Sequence, residues 1–172
     1  DLILNRNLTF EPQLRFALEG RPWSFLFWWR YKVIKTGKFR VNIGAHPALS
    51  FKTTAAETNG VTEKTTKVYR YLAGELSPAY LLSKNTSIGI YYLYSRGIEK
   101  ILTQHTNLIA LRSSFSSIRI SNQFFMGFNP QIYYLKMDKH DGFYFNSSVT
   151  LAKSNFPVSL SSMFNKRVKS DI

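Results

Sequence analysis

Gln123-Phe124-Phe125-Met126-Gly127-Phe128-Asn129-Pro130-Gln131-Ile132-Tyr133-Tyr134-Leu135-Lys136 leads through Asp138-Lys139-His140-Asp141-Gly142 into Phe143-Tyr144-Phe145-Asn146-Ser147-Ser148-Val149-Thr150-Leu151-Ala152-Lys153. In the first arm every second residue is apolar: Phe124, Met126, Phe128, Pro130, Ile132 and Tyr134. The residues alternating with them, such as Gln123, Gly127, Asn129 and Gln131, are mostly polar or small. The second arm repeats the pattern, with Phe143, Phe145, Val149 and Leu151 set against Tyr144, Asn146, Ser148 and Thr150. Side chains alternate faces along a strand, so each arm has one apolar and one polar face. A polar Asp/Gly connection makes the pair an antiparallel hairpin.

Strand length separates two kinds of half-apolar sheet. These arms run about a dozen residues, while strands of soluble domains cluster near 5–6 and a tilted membrane-crossing strand needs about 9–11. The apolar faces end in Phe and Tyr, as expected where a barrel wall meets headgroups. The pattern predicts an all-β, antiparallel up-and-down transmembrane β-barrel of 8–10 strands, with residues 1–172 as one domain.

Composition is compatible with that expectation. The 172 residues contain no cysteine, so thiolate chemistry and disulfides are absent. The chain opens on Asp1 rather than Met and is expected to be a processed product. No apolar run approaches the roughly 20 residues of a membrane helix. The densest run, Trp23 to Trp29, is interrupted by Ser24. A mean hydropathy of −0.18 does not discriminate, because alternation hides a barrel's signal. The net charge of +13 is spread over turns, polar faces and the basic C-terminal segment. That distribution fits anionic lipopolysaccharide or phospholipid headgroups and forms no nucleic-acid stripe.

The same alternation recurs along the chain. Leu8 to Leu18 places Leu8, Phe10, Pro12, Leu14 and Phe16 opposite Thr9, Glu11, Gln13 and Arg15. Trp23, Phe25, Phe27, Trp29, Tyr31 and Val33 oppose Ser24, Trp28, Arg30 and Lys32. Phe39 to Phe51 carries Arg40, Asn42, Gly44, His46 and Ser50 on its polar side. Residues 53–66 read as a loop, and 67–82 as the least regular strand. Ile88, Ile90, Tyr92 and Tyr94 face away from Ser87, Gly89, Tyr91 and Ser95, and the serines at 113–117 weaken the next strand. Tight turns near 37, 85, 121 and 155 alternate with longer loops at 53–66, 97–105 and 138–142, as at the two rims of an outer-membrane barrel. Nine segments emerge where an even number is expected, so the strand count is eight or ten. Pro12, Pro47, Pro78 and Pro130 fall inside strands and read as bulges or strand ends near a rim.

Leu76-Ser77-Pro78-Ala79-Tyr80-Leu81-Leu82-Ser83-Lys84-Asn85-Thr86-Ser87-Ile88-Gly89-Ile90-Tyr91-Tyr92 resembles a strand–turn–strand unit of small outer-membrane β-barrel proteins of the Bacteroidota type. The hairpin at 123–153 and the segment Ser161-Ser162-Met163-Phe164-Asn165-Lys166 are similar in style, while the ending Ser170-Asp171-Ile172 lacks a terminal aromatic. The resemblance implies a barrel in the outer membrane of a Gram-negative bacterium and no particular activity.

The expected interior polar network is Glu11, Gln13, Arg15, Arg30, Arg40, Asn42, Glu75, Arg112 and Gln131, with Lys32, Asn129 and Asn146 on the same face. Interiors of barrels this size are filled by side chains, so a structural plug is expected rather than a wide channel. The expected lipid-facing aromatics are Phe25, Phe27, Trp29, Tyr92, Phe124, Phe128, Tyr134, Phe143 and Phe145. No cofactor, metal ligand set or phosphate loop is legible. The expected function is non-enzymatic, as a structural or accessory subunit of an envelope complex. Its expected partners are outer-membrane lipid, lipopolysaccharide and other envelope proteins, with no nucleic acid. Two alternatives stay open. One is a barrel enzyme acting on lipid A or phospholipid through His46, Ser50 and Glu75, with His105 and His140 in loops. The other is a soluble basic β-barrel that binds lipid or nucleic acid.

Overall fold

A computed structural model describes residues 2–58, 61–154 and 156–172, and side chains outside 55–64; Asn59 and Gly60 of the expected 53–66 loop and Asn155 of the last turn fall outside it. The strands are β1 (Leu2–Ile3), β2 (Leu8–Phe16), β3 (Pro22–Thr36), β4 (Phe39–Thr58), β5 (Val61–Leu81), β6 (Thr86–Gly97), β7 (Thr106–Arg119), β8 (Phe124–Met137), β9 (His140–Lys153) and β10 (Ser159–Ser170). They form one ten-stranded sheet in sequence order, each strand antiparallel to the next. Nine strands are long, and the tenth is the two-residue β1. Among the described residues β1 pairs only with β2 and β10 only with β9, so these are the edges of the sheet.

Two expectations about connections are corrected, and the weak point in β7 takes a definite form. Most of 53–66 is strand: β4 and β5 pair without interruption from Phe39↔Tyr80 to Thr58↔Val61, because Thr-rich segments favour extended backbone. Beyond Ser50 on one side and Arg70 on the other, this ribbon pairs with no further strand among the described residues. The connection at 138–142 is only Asp138-Lys139, with Asp138 left-handed at φ 51. Its backbone therefore suits a two-residue hairpin turn. The serine-rich weak point in β7 is a bulge between Phe115 and Ile118 that holds Ser117 at φ 55.

Pro12, Pro47, Pro78 and Pro130 are not at bulges or strand ends. Bulges fall at Arg15/Phe16, Lys32/Ile34, Phe115/Ile118 and Arg167/Lys169. Instead, each proline stays in register with one neighbour and opens the ladder toward the other. Pro47 pairs with Leu72, while the β3–β4 ladder skips from Leu26↔Ala48 to Trp29↔Ala45. Pro78 pairs with Val41, while β5–β6 skips from Ala79↔Gly89 to Leu76↔Tyr92. Pro130 pairs with Ser147, while β7–β8 skips from Arg112↔Gln131 to Phe115↔Phe128. Pro12 sits in an unbroken β2–β3 ladder, so its missing N–H faces the open side of β2. A proline removes one donor, and the gap lies where that donor would point.

The distribution of polarity is the reverse of a soluble core. Exposed apolar side chains lie along the outward row, including Leu72, Ile90, Leu111, Ile132 and Phe143, and no large side chain among the described residues is fully buried. The buried residues include His46, Glu75 and Tyr91. The accessible area is 12420 Å², against roughly 8,700 Å² for a compact protein of this mass. The chain forms a single layer, and the buried His46, Glu75 and Tyr91 lie on its polar face.

Candidate functional site

Glu75 is the centre of the polar face. It lies on β5 in the row Arg30–Gly44–Glu75, so Gly44 of the intervening β4 stands between acid and base. A Cβ at position 44 would come within 2.8 Å of both Glu75 Cγ and the Trp29 carbonyl oxygen. The glycine is therefore the gap through which Glu75 reaches across a strand. Arg30 Nε donates to Glu75 Oε1 at 2.8 Å, and the Tyr91 hydroxyl donates to Oε2 at 2.7 Å. His46 Nε2 lies 3.1 Å from the same Oε2 at ion-pair distance, but out of line for a hydrogen bond. Glu75 and His46 are each about 2 % exposed at the side chain.

The cluster extends over six strands. Arg30 also donates to Glu11 Oε2 at 2.7 Å, Gln13 donates to Glu11 Oε1 at 2.6 Å, and Arg15 donates to Gln13 at 3.2 Å. The Arg112 guanidinium sits 3.7 Å from the centre of the Tyr91 ring. Ala110, register partner of Tyr91, is completely buried. Trp28 packs against His46 at 3.8 Å between ring centres and carries the Arg30 guanidinium 4.7 Å from its own ring. The carboxylates of Glu11 and Glu75 both meet Arg30, while Arg112 sits over the Tyr91 ring and Arg15 donates to Gln13. Confined charges are tolerable when they are paired and hydrogen-bonded in this way. Trp28 Nε1 and His46 Nδ1 find no partner among the described residues. Both lie beside the ladder gap that Pro47 opens.

Of the expected interior residues, Glu11, Gln13, Arg15, Arg30 and Glu75 are joined directly, and Arg112 joins through the Tyr91 ring. Gln131 is the register partner of Arg112 and shares with it a cavity of about 260 Å³. Arg40 and Asn42 are not in the network and lie at the far end of β4. His46, Trp28 and Tyr91 are members that the sequence reading did not assign. Their signal was an aromatic or imidazole on an otherwise small or polar row. The nine expected lipid-facing aromatics all share the opposite face. There Phe25 packs on Phe51 at 4.9 Å, Tyr134 on Phe143 at 4.9 Å, Phe128 on Phe115 at 6.2 Å and Phe145 on Phe164 at 6.3 Å.

Glu75 and His46 are the side-chain types that orient and deprotonate a nucleophile in a catalytic relay. Ser50 lines a cavity of about 300 Å³ together with His46. It is four residues further along β4, about 13 Å of strand, and out of reach of the imidazole. Of the other histidines, His105 meets the Tyr94 hydroxyl at 2.7 Å, and His140, which opens β9, has Nδ1 3.8 Å from Asp171. Among the described residues no three His, Asp or Glu side chains converge as a metal site. Comparison with known families, characterised proteins and solved structures finds no match.

Proposed function

We propose that this chain is a non-enzymatic outer-membrane β-barrel of the Bacteroidota type, serving a Gram-negative envelope as a structural or accessory subunit. The supporting observation is the inversion of polarity, with aromatic and aliphatic rows exposed on one face and, on the other, an ion-paired network centred on the buried Glu75 and His46. Lipid satisfies such rows, whereas water does not. Within a bilayer the sheet edges must also be paired. Closure between the β1–β2 side and β10 would remove both exposed rows of backbone groups. The polar network then fills the lumen as a plug, and the rims meet phospholipid, lipopolysaccharide and neighbouring envelope proteins.

The test is detergent dependence together with gel mobility. A closed membrane barrel needs detergent to stay dispersed and migrates differently before and after boiling. Because the chain has no cysteine, pairs introduced one on β2 and one on β10 report closure by crosslinking. A chain that stays folded in plain buffer overturns the reading. The Glu75–His46 contact favours a second reading, a lipid-modifying enzyme. His46→Ala that abolishes deacylation of lipid A or phospholipid would establish it.

A further inference from the structure

A cavity of about 560 Å³ opens on the apolar face, on the other side of the wall from the Glu75 network. Ala45 and its register partner Gly74 line it, with Leu72, Tyr94, Arg96 and Ile98 around them. These positions alternate with residues of the polar face: Ala45 lies between Gly44 and His46, Gly74 precedes Glu75, and Tyr94 and Arg96 flank Ser95. A Cβ built at Gly74 meets only the Gly44 carbonyl oxygen, at 3.8 Å. The wall is therefore recessed here for want of side chains, beside the exposed Leu72 and Ile98.

One end of the recess is polar. Arg96, paired with Leu72, is the last residue but one of β6. At the same edge three outward tyrosines tie their hydroxyls to polar groups: Tyr92 donates to Asn107, Tyr94 meets His105 Nδ1 and Tyr134 donates to Asp141. Rings with such polar tips mark the level where a barrel wall leaves hydrocarbon for headgroups. The nearby carboxylates are taken, Glu99 by Arg70, Asp138 by the N–H groups of Gln104 and His105, and Asp141 by Tyr134. Arg96 meets no carboxylate among the described residues. The connection 98–105 and the end of the β4–β5 ribbon lie at this edge, while 37–38, 82–85 and 120–123 turn at the other. Outer-membrane barrels keep short turns on the periplasmic rim and longer connections outside. On the barrel reading, Arg96 thus stands in the outer leaflet.

We propose that this recess binds lipid A of the outer leaflet, with a phosphate on Arg96 and an acyl chain laid over Ala45 and Gly74. The proposal rests on the barrel reading and gives lipopolysaccharide a definite site on the wall. The guanidinium offers phosphate a planar fork of donors. The occupant is amphiphilic because the site is, with an unpaired cation toward the rim and an apolar hollow beside it, both on the face that meets lipid. A soluble phosphate would use only the first, and an uncharged lipid only the second.

The full chain in detergent, checked for its heat-dependent gel shift, is titrated with bisphosphorylated lipid A, its dephosphorylated form or phosphatidylglycerol and read by native mass spectrometry. Bisphosphorylated lipid A is expected to be retained over the other two. Arg96→Gln is expected to weaken retention of the phosphorylated form about fivefold, the share of one surface cation toward an anionic lipid, and to leave the dephosphorylated form unchanged. Gly74→Leu, whose Cβ has room, is expected to fill the hollow and weaken both forms. Should it lose the gel shift, Ala45→Leu repeats the test from the neighbouring strand. Lys38→Gln/Lys84→Gln, at the opposite edge, is expected to change neither. Unchanged retention in Arg96→Gln, or in a folded variant with the hollow filled, overturns the site. Phosphatidylglycerol retained as tightly as lipid A overturns lipid A as the occupant. Failure of the barrel itself reads out separately, as a chain folded without detergent, and removes the leaflet assignment with it.

Discussion

The polar face is built in two different ways. From β2 to β7 it is held by charged groups, one pair of which skips a strand: Arg30 reaches Glu75 over Gly44, while Glu75 meets His46 and Tyr91 on the strands to either side. From β7 to β10 it is held by neutral neighbours. Ser114 donates to Asn129 at 2.7 Å, Thr150 meets Ser161 at 2.9 Å, Tyr144 meets Ser170 at 2.7 Å, and Asn146 bonds Asn165 across the last ladder. A long charged side chain can cross an intervening strand only where that strand presents no side chain. A ladder of short amides and hydroxyls needs no such vacancy. The first region is therefore vulnerable at single positions, and the second spreads its stabilisation over many weak contacts.

Replacing Glu75 tests the contrast most severely. Glu75→Ala leaves Arg30 with only its Glu11 partner and strands His46 and the Tyr91 hydroxyl, at an expected cost of about 3–5 kcal/mol in unfolding by urea. Gly44→Val should follow at about 1–3 kcal/mol, since its Cβ overlaps Glu75 and a backbone carbonyl. The two changes together should cost less than their sum, because both break the same contact. On the neutral side Asn129→Ala should cost about 1 kcal/mol or less. An Asn129 effect as large as that of Glu75 would erase the distinction between the regions.

The smallest effect is local and pH-dependent. Glu99, in the connection after β6, accepts from the Arg70 backbone N–H and from its guanidinium, and these bonds hold its carboxyl below the usual carboxylate range. A depressed folded value means that the ordering is present above the ordinary carboxylate pKa and fades as pH falls through the folded one. The protection of the Arg70 amide, taken relative to its intrinsic exchange rate at each pH, should fall on acidification in the native chain and lose that pH dependence in Glu99→Gln.

Much of this was legible in the sequence, because alternation needs only one strand to be read. It separated the aromatic rows from Glu11, Gln13, Arg15, Arg30 and Glu75 and assigned each to the correct face. What stayed hidden depends on neighbouring strands. The position of Gly44 between Arg30 and Glu75 is a property of register across three strands, so the glycine that makes the network possible looked like any other small residue. His46 and Tyr91 joined for the same reason. Arg40 dropped out because a bulge and the nearby turn place it at the hairpin end. The prolines were misjudged because one strand does not reveal which of its two ladders will open.

Gly44 has one more consequence, for how the strands find their mates. Sliding β4 by two residues against β3 and β5 keeps every greasy side chain on the greasy face, so periodicity alone tolerates that error. It would, however, put Asn42 or His46 in the path that Glu75 takes to Arg30. The vacancy acts as a keyway: of these alignments, which hydrophobicity alone permits, the native one lets acid and base meet.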